Sequence, residues 1–349
     1  MSRAPLLHGF ADLTPDELLA ALDATGFRGD GRLLQLNSYE NRVFQVMLED
    51  GDAVVAKFYR GGRWSDDQIL EEHAFAAELA AAEVPVVAPL ELRPCAPGVS
   101  LLPTDAPPTL ALRRTASGQP LRYAVWPRRA GRAPELDDPQ VLPRLGGFIG
   151  RLHAVGAQRA FGHRRRLDPA ADVRDALALI DAGEHVPPAQ LDGWRAAGAE
   201  AVARIDAACA AFQPVAIRLH GDCHPGNLLW RETGAHVVDL DDACQGPAVQ
   251  DLWMLLAGDD ATAATQMRLL LQGYTAFRAF DRRELALIEP LRLLRMIRHN
   301  AWIAQRWADP AFPAAFPDFG SAAYWAQQTL QLREQLRAAD DPPQPDPFA

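Results

Sequence analysis

Leu219-His220-Gly221-Asp222-Cys223-His224-Pro225-Gly226-Asn227-Leu228-Leu229-Trp230, followed by Val237-Val238-Asp239-Leu240-Asp241-Asp242, decides how this chain of 349 residues is read. It describes a loop between two apolar runs, then a strand that ends in carboxylates. Asp222 and Asn227 stand five residues apart on a Gly- and Pro-containing loop, where neither a helix nor a sheet ladder sets their spacing. Ala235-His236-Val237-Val238 is a short apolar strand that would deliver Asp239 to the same place. A carboxylate and an amide oxygen are hard donors, the set that suits Mg²⁺ and a nucleotide phosphate. Asp222 is then left to receive or orient the proton of an attacking hydroxyl. The pattern points to phosphoryl transfer.

Taken singly, an Asp in such a turn is most often a solvated residue that caps its own backbone. The joint pattern is far more specific than its parts. His220, Cys223 and His224 raise a zinc site as an alternative, but zinc sites pair their ligands, as in Cys-x-x-Cys with a second pair downstream. No such pairing exists here. His220 is expected to support the loop backbone instead.

His220-Gly221-Asp222-x-x-x-x-Asn227 with Asp239-x-Asp241 resembles the aminoglycoside-phosphotransferase and choline-kinase branch of the protein-kinase-like fold. Within that branch, Leu36-Asn37-Ser38-Tyr39-Glu40-Asn41-Arg42-Val43, Val55-Ala56-Lys57-Phe58-Tyr59-Arg60 and Gln68-Ile69-Leu70-Glu71-Glu72-His73 resemble the bacterial stress response kinase A family. Gly246-Pro247-Ala248-Val249-Gln250-Asp251-Leu252-Trp253 and Arg306-Trp307-Ala308-Asp309-Pro310 do so too, and the likeness runs from Phe10 to Leu336. The resemblance implies an α+β, two-lobed protein-kinase-like fold. A small N-terminal β-rich lobe with one key helix would precede a larger, mainly α-helical C-terminal lobe. It also implies a cytoplasmic Ser/Thr protein kinase of a bacterial stress response that uses ATP and Mg²⁺ and phosphorylates itself as well as other proteins.

Bulk properties agree with a globular enzyme. A chain of 349 residues exceeds the comfortable size of one core, and 48% hydrophobic residues supply a sizeable interior. A net charge of −10 argues against nucleic acid as a partner, because phosphate binding needs positive charge. His163-Arg164-Arg165-Arg166 is expected to be a solvated face or a docking patch. The four cysteines have no regular spacing, which fits a reducing compartment. Neither a signal peptide nor a membrane-length apolar run is apparent, so a cytoplasmic location without membrane attachment is expected. The expected partners are ATP and Ser/Thr-containing proteins, and the expected assembly is a monomer.

Along the chain, Thr14-Pro15-Asp16-Glu17 starts a helix, with Thr as cap and Pro at the first helical position. Residues 32–46 read as two strands around a polar turn. In protein kinases the corresponding turn is glycine-rich and covers the ATP phosphates. Here glycine is absent, and the family likeness makes Ser38 the ATP contact. Ala53-Val54-Val55-Ala56-Lys57-Phe58-Tyr59 is a strand with one lysine. A helix carrying Glu71 and Glu72 follows, which suggests the ion pair that aims a lysine at nucleotide phosphates. Glu72 is the preferred partner, since Phe75 and Leu79 share its helix face, while Glu71 points about 100° away. Leu110-Ala111-Leu112 and Leu121 to Pro127 form a hairpin. Trp126-Pro127-Arg128 would be a hinge that holds adenine. The expected boundaries are a nucleotide-binding lobe over 1–127, a catalytic and substrate lobe over 128–340, and a disordered Pro-rich tail over 341–349.

In the second lobe, Leu142, Leu145, Phe148, Ile149 and Leu152 recur at helical spacing, with Gly146, Gly147 and Gly150 permitting close packing. Further helices are expected over 169–184, 190–212, 262–280, 282–305 and 319–339. Asp251 is expected either to brace the catalytic loop or to cap a plain helix. The resulting assignment makes Asp222 and Asp239 catalytic, and Ser38, Lys57, Glu72 and Trp126 nucleotide-binding. Asn227 and Asp239 hold Mg²⁺, while Asp241 or Asp242 holds a second ion or orients the loop. Asp239-Leu240-Asp241 replaces Asp-Phe-Gly, and only twelve positions separate Asp239 from Asp251. That leaves no long phosphorylatable loop, so a small-molecule alcohol or aminoglycoside kinase fits the residues equally well. A non-catalytic nucleotide-binding regulator is disfavoured, because Lys57, Asp222, Asn227 and Asp239 are all present.

Overall fold

Short strands rich in apolar residues set the first part of the chain. The computed structural model describes residue 10 and residues 12–339 apart from 105, 116, 233 and 259, so the tail expected over 341–349 lies outside the described residues. Helix α1 (Pro15–Asp23) begins as expected: the Thr14 hydroxyl accepts from the Glu17 N–H at 3.2 Å. Strands β1 (Gly29–Leu36), β2 (Arg42–Leu48) and β3 (Ala53–Tyr59) follow, and then helix α2 (Asp66–Ala81). A reciprocal capping box opens α2, with Ser65 and Gln68 each bonding the other's backbone N–H. Strands β4 (Val99–Leu101), β5 (Ala111–Arg114) and β6 (Pro120–Pro127) complete a six-stranded antiparallel sheet of order β1-β2-β3-β6-β5-β4.

One face of this sheet carries Val46, Val54, Ala56, Phe58, Tyr123 and Val125 against Leu18 and Leu22 of α1. Burying each of the larger side chains stabilises the unit by roughly 1.5–3 kcal/mol. The opposite face carries Tyr59 and Ala124 against Ile69 of α2, with Trp64 and Trp126 packed beside them. Lys57 pairs across the ladders with Val43 and Ala124, which puts its side chain on this second face.

Helices take over with α3 (Val141–Gly156), α4 (Pro169–Ala182) and α5 (Pro188–Ala211), followed by the short strand β7 (Ile217–Leu219). A 3₁₀ turn over Pro225–Asn227 leads into the hairpin of β8 (Leu228–Arg231) and β9 (Gly234–Val237), and β10 (Cys244–Gly246) then pairs with β7. The chain ends in α6 (Gln250–Trp253), α7 (Asp260–Tyr274), α8 (Ile288–Gln305), α9 (Ala311–Ala315) and α10 (Ala322–Ala338). Gly146 on α3 is required by close packing, since a Cβ there would overlap the Leu270 carbonyl oxygen of α7. Trp194 of α5 and Trp325 of α10 meet edge to face with centroids 4.9 Å apart.

The chain forms two compact units. The β-rich one comprises Met1–Pro134, Phe161–Arg164 and Gly226–Asp241, and the mainly helical one Glu135–Ala160, Arg165–Pro225 and Asp242–Ala349. The expected α+β, two-lobed architecture is therefore present. Among the described residues no helix is long and apolar enough to cross a membrane.

Candidate active site

In the β-rich unit, charges from four distant parts of the sequence meet around Lys57. Its ammonium donates to Asp239 Oδ1 at 2.8 Å and stands 3.5 Å from Asp241 Oδ1. It also lies over the Trp126 ring, 5.3 Å from the centroid. Burial opposes the charge on Lys57, but Asp239, Asp241 and Glu72 outweigh it and hold the ammonium above the ordinary lysine range. Asp241 is buried and takes hydrogen bonds on Oδ2 from Asn41, at 3.2 Å, and from Arg63. Burial alone would raise its carboxyl, yet Arg63, Lys57 and Arg164 hold it well below the usual carboxylate range.

The β8–β9 hairpin brings Asn227 and Asp239 to one end of the same element. Val238 donates its N–H to the Asn227 carbonyl at 3.0 Å, and Leu228 is in register with Val237. The hairpin is tied down along its length: Val237 exchanges backbone bonds with Pro85 and Val87, and Trp230 with Arg132. Asp239 has φ +62°, in the left-handed region, which costs an L-residue roughly 1–2 kcal/mol. Such strain persists where the surroundings over-determine it. Its carboxylate remains half exposed, with a side-chain exposure of 50%.

Among the described residues no three His, Cys, Asp or Glu side chains form a ready-made metal cluster. Mg²⁺ does not require one, because it takes one or two carboxylates and completes its shell with phosphate and water oxygens. Asp239 offers an accessible carboxylate of that kind. Oδ1 of Asp241 is buried and accepts no hydrogen bond, and the cation it faces is the Lys57 ammonium at 3.5 Å. The donor set fits Mg²⁺ with a nucleotide.

In the helical unit, one buried carboxylate organises the loop that carries Asp222. Asp251 accepts the N–H of His220 at 2.7 Å on Oδ2 and that of Gly221 at 2.8 Å on Oδ1. Gln250 adds a bond from its amide to the Gly221 carbonyl at 3.1 Å. Asp251 is fully buried and faces His153 Nε2 at 3.0 Å. Burial would raise its carboxyl, but the bond from His153, its charge interactions with His153 and His220 and the loop N–H groups hold it low. An ionised carboxylate only accepts, so His153 Nε2 is the donor in this contact, and the Tyr274 hydroxyl lies 3.0 Å from Nδ1 on the other side of the ring. Gly221 has φ +87°, and a Cβ there would overlap the Asp242 carbonyl, so only glycine fits.

Asp222 follows directly. Its backbone N–H donates to His220 Nδ1 at 3.3 Å, its Oδ1 accepts from Arg295 of α8 at 2.8 Å, and His224 Nε2 lies 3.5 Å from Oδ2. The fixed backbone and partly exposed side chain suit a carboxylate that receives a proton from a substrate hydroxyl.

Several expectations are revised. Lys57 and Glu72 do not pair within ion-pair distance, because Asp239 and Asp241 take the close positions around the ammonium. Glu72 is buried as expected, and burial outweighs Lys57 and Arg164 to push its carboxyl up to about 7. Trp126 lies within β6, paired with Val55, and its ring packs against Lys57 and edge-on to His73 at 5.6 Å. The Ser38 hydroxyl accepts the Asn41 N–H at 3.3 Å, which closes its own turn. Arg60 further stiffens that turn by donating to the Tyr39 and Glu40 carbonyls. Of the basic stretch at 163–166, His163 and Arg166 are exposed as a solvated face would be, but Arg164 and Arg165 turn to partners. Arg164 is 4% exposed and bonds the Leu240 and Asp241 carbonyls, and Arg165 pairs with Asp172 at 3.1 Å. Asn41, Arg63, Arg164 and Arg295 were missed as site residues, since nothing in their local sequence marks a partner so far along the chain.

Comparison with known proteins gives this geometry its context. The profile of the phosphotransferase enzyme family matches residues 32–288. The chain is 41% identical over 337 residues to stress response kinase A of Escherichia coli strain K12, covering 96% of both chains. It is 40% identical over 334 residues to the serine/threonine protein kinase RdoA of Salmonella typhimurium, again covering 96% of each. Among solved structures, an amicoumacin kinase in complex with AMP-PNP and Ca²⁺ superposes with a TM-score of 0.70 at 18% identity, covering 96% of both chains. A microcompartment-associated aminopropanol kinase gives 0.70 at 16% identity, covering 93% of this chain and 98% of its own. At those identities the structural likeness speaks for the fold, whereas the family profile and the relatives of 40% identity span most or nearly all of the sequence. The chain belongs to the phosphotransferase enzyme family and, within it, to the stress response kinase A group.

Proposed function

We propose that this protein transfers the γ-phosphoryl group of ATP to Ser and Thr hydroxyls of proteins, itself included, as part of a bacterial stress response. The observation that carries phosphoryl transfer is the Lys57 ammonium held at 2.8 Å by Asp239 and flanked by buried Asp241. That arrangement suits a lysine that contacts nucleotide phosphates while the neighbouring carboxylate faces a metal. Asn227 and Asp239 would hold Mg²⁺, which supplies charge neutralisation on the phosphate oxygens when bound. Lys57 and the polar turn at Ser38 orient the nucleotide, with Trp126 beside them. Asp222 accepts the proton of the acceptor hydroxyl, and Asp251 keeps the loop that carries Asp222 in one conformation. The choice of protein as acceptor rests on the 40% identity to a chain named as a serine/threonine protein kinase.

A small-molecule acceptor is the second reading. It is favoured by the short stretch after Asp239, where β10 and the four-residue α6 leave no long segment to shape a peptide groove. Incubation with γ-labelled ATP and Mg²⁺, alone and with a generic basic protein, separates the two. Label on Ser or Thr that disappears in Asp222→Asn supports the protein kinase. Nucleotide binding without protein labelling moves the small-molecule reading ahead, with a metabolite screen by the same assay.

A further inference from the structure

The tetrapeptide Phe161-Gly162-His163-Arg164 belongs to the β-rich unit although the segments on either side of it, Glu135–Ala160 and Arg165–Pro225, belong to the other. Glu71 is what holds it. One carboxylate accepts three successive backbone N–H groups, from Gly162 at 2.5 Å, His163 at 2.8 Å and Arg164 at 2.7 Å. Gln68, one turn earlier on α2, donates to the His163 carbonyl at 3.0 Å, and Phe161 packs edge-on against Phe75 at 5.3 Å. The backbone of this tetrapeptide is therefore clamped to α2.

The clamp aims one side chain. The Arg164 guanidinium lies over the Trp64 ring, 4.2 Å from its centroid, and donates to the Leu240 carbonyl at 3.4 Å and to the Asp241 carbonyl. Those carbonyls belong to the turn that begins at Asp239, the residue with the left-handed backbone. Both bonds leave the same Nη2, while the flat guanidinium stacks on the Trp64 ring, and that stacking fixes the direction in which the donor points, which a lysine does not reproduce. Only twelve positions separate Asp239 from Asp251, so no long downstream loop is available to brace the turn.

We propose that Arg164, oriented by Glu71, is a positioning residue that links α2 to the Asp239–Asp241 turn and holds Asp239 ready for Mg²⁺ and the nucleotide phosphates. The inference rests on the reading of Asp239 as a metal ligand. It makes the brace a permanent part of the fold, present without any modification of the chain.

The test is the Mg²⁺ dependence of binding of a fluorescent, non-hydrolysable ATP analogue, with the thermal midpoint measured alongside. It is applied to the full-length protein and to Arg164→Ala, Arg164→Lys, Glu71→Gln and Asp239→Asn. Arg164→Ala should raise the Mg²⁺ concentration at half-saturation by about 10- to 100-fold, the usual range for losing a group that orients a metal ligand. Arg164→Lys should recover little of this, Glu71→Gln should fall between, and the KM for the phosphate acceptor should stay unchanged. A folded Arg164→Ala with the Mg²⁺ dependence of the parent overturns the proposal. Should Arg164→Ala not fold, a folded Arg164→Lys with parental Mg²⁺ dependence overturns it equally. If Asp239→Asn itself leaves that dependence unchanged, the assignment of Asp239 as metal ligand fails, and the proposal with it.

Discussion

The cluster around Lys57 and the loop around Asp222 solve one problem, holding a carboxylate in place, by opposite means. Around Lys57, buried charges balance one another: Asp241 meets Arg63, Lys57 and Arg164, and Lys57 meets Asp239 and Asp241. Around Asp222, one buried carboxylate, Asp251, grips backbone N–H groups and is itself fixed by His153 and Tyr274. The first arrangement has redundant partners. The second centres on one carboxylate, which alone takes two successive loop N–H groups. A region that must receive a highly charged ligand gains from redundancy, whereas a loop that must place one proton acceptor gains from rigidity.

That contrast can be broken in four ways, taken from the largest effect downward. Asp222→Asn should lower the turnover by about 10²–10⁴-fold, the range for losing a general base, while leaving nucleotide affinity and the melting temperature near those of the parent. Asp251→Asn should destabilise the helical unit by about 3 kcal/mol, because one loop N–H then faces a donor instead of a carboxylate oxygen. Urea unfolding checks it. Arg63→Met should lower stability by only about 1.5 kcal/mol, since Lys57 and Arg164 still compensate Asp241. An Arg63→Met penalty larger than that of Asp251→Asn would contradict the claimed redundancy.

The smallest effect is in the pH dependence of stability. Glu72 is raised by burial from 4.5 to about 7, so the folded state holds its proton more tightly than the unfolded chain. Its contribution is complete below the unfolded value and is lost as pH rises through about 7. His73, lowered by burial and Lys57 to about 3, acts in the opposite sense: it adds stability as pH rises from about 3 to 6.5. Glu72→Gln removes the first slope and keeps the second. The stability of the variant relative to the parent should therefore climb between pH 4.5 and about 7, as read from thermal midpoints.

Much of this was legible in the sequence, and what was not has a physical reason. The apolar run from Ala53 to Tyr59, with its one lysine, identified β3. Apolar residues at helical spacing located α3, and its glycines marked the close approach to α7. The role of Asp251 as a brace was readable from its position after the loop. Lys57 stood out in the sequence as a candidate, but its close partner did not: Asp239 lies 182 positions away, and only the fold brings the two together. Glu72 was the local choice, and burial on α2 did not carry it to ion-pair distance. Arg164 was misread because a run of three arginines resembles a solvated patch, while its burial depends on Glu71 and Trp64, far upstream.

The central claim is a division of labour: Asp239 belongs to nucleotide and metal binding, and Asp222 to the chemical step. The most direct test measures Mg²⁺-dependent ATP affinity and single-turnover transfer of the γ-phosphoryl group side by side in the parent, Asp222→Asn and Asp239→Asn. The expected result is that Asp222→Asn binds nucleotide as the parent does and transfers about 10²–10⁴-fold more slowly, while Asp239→Asn loses the Mg²⁺-dependent part of binding. Transfer at the parental rate by Asp222→Asn, or unchanged Mg²⁺-dependent binding by Asp239→Asn, would contradict it.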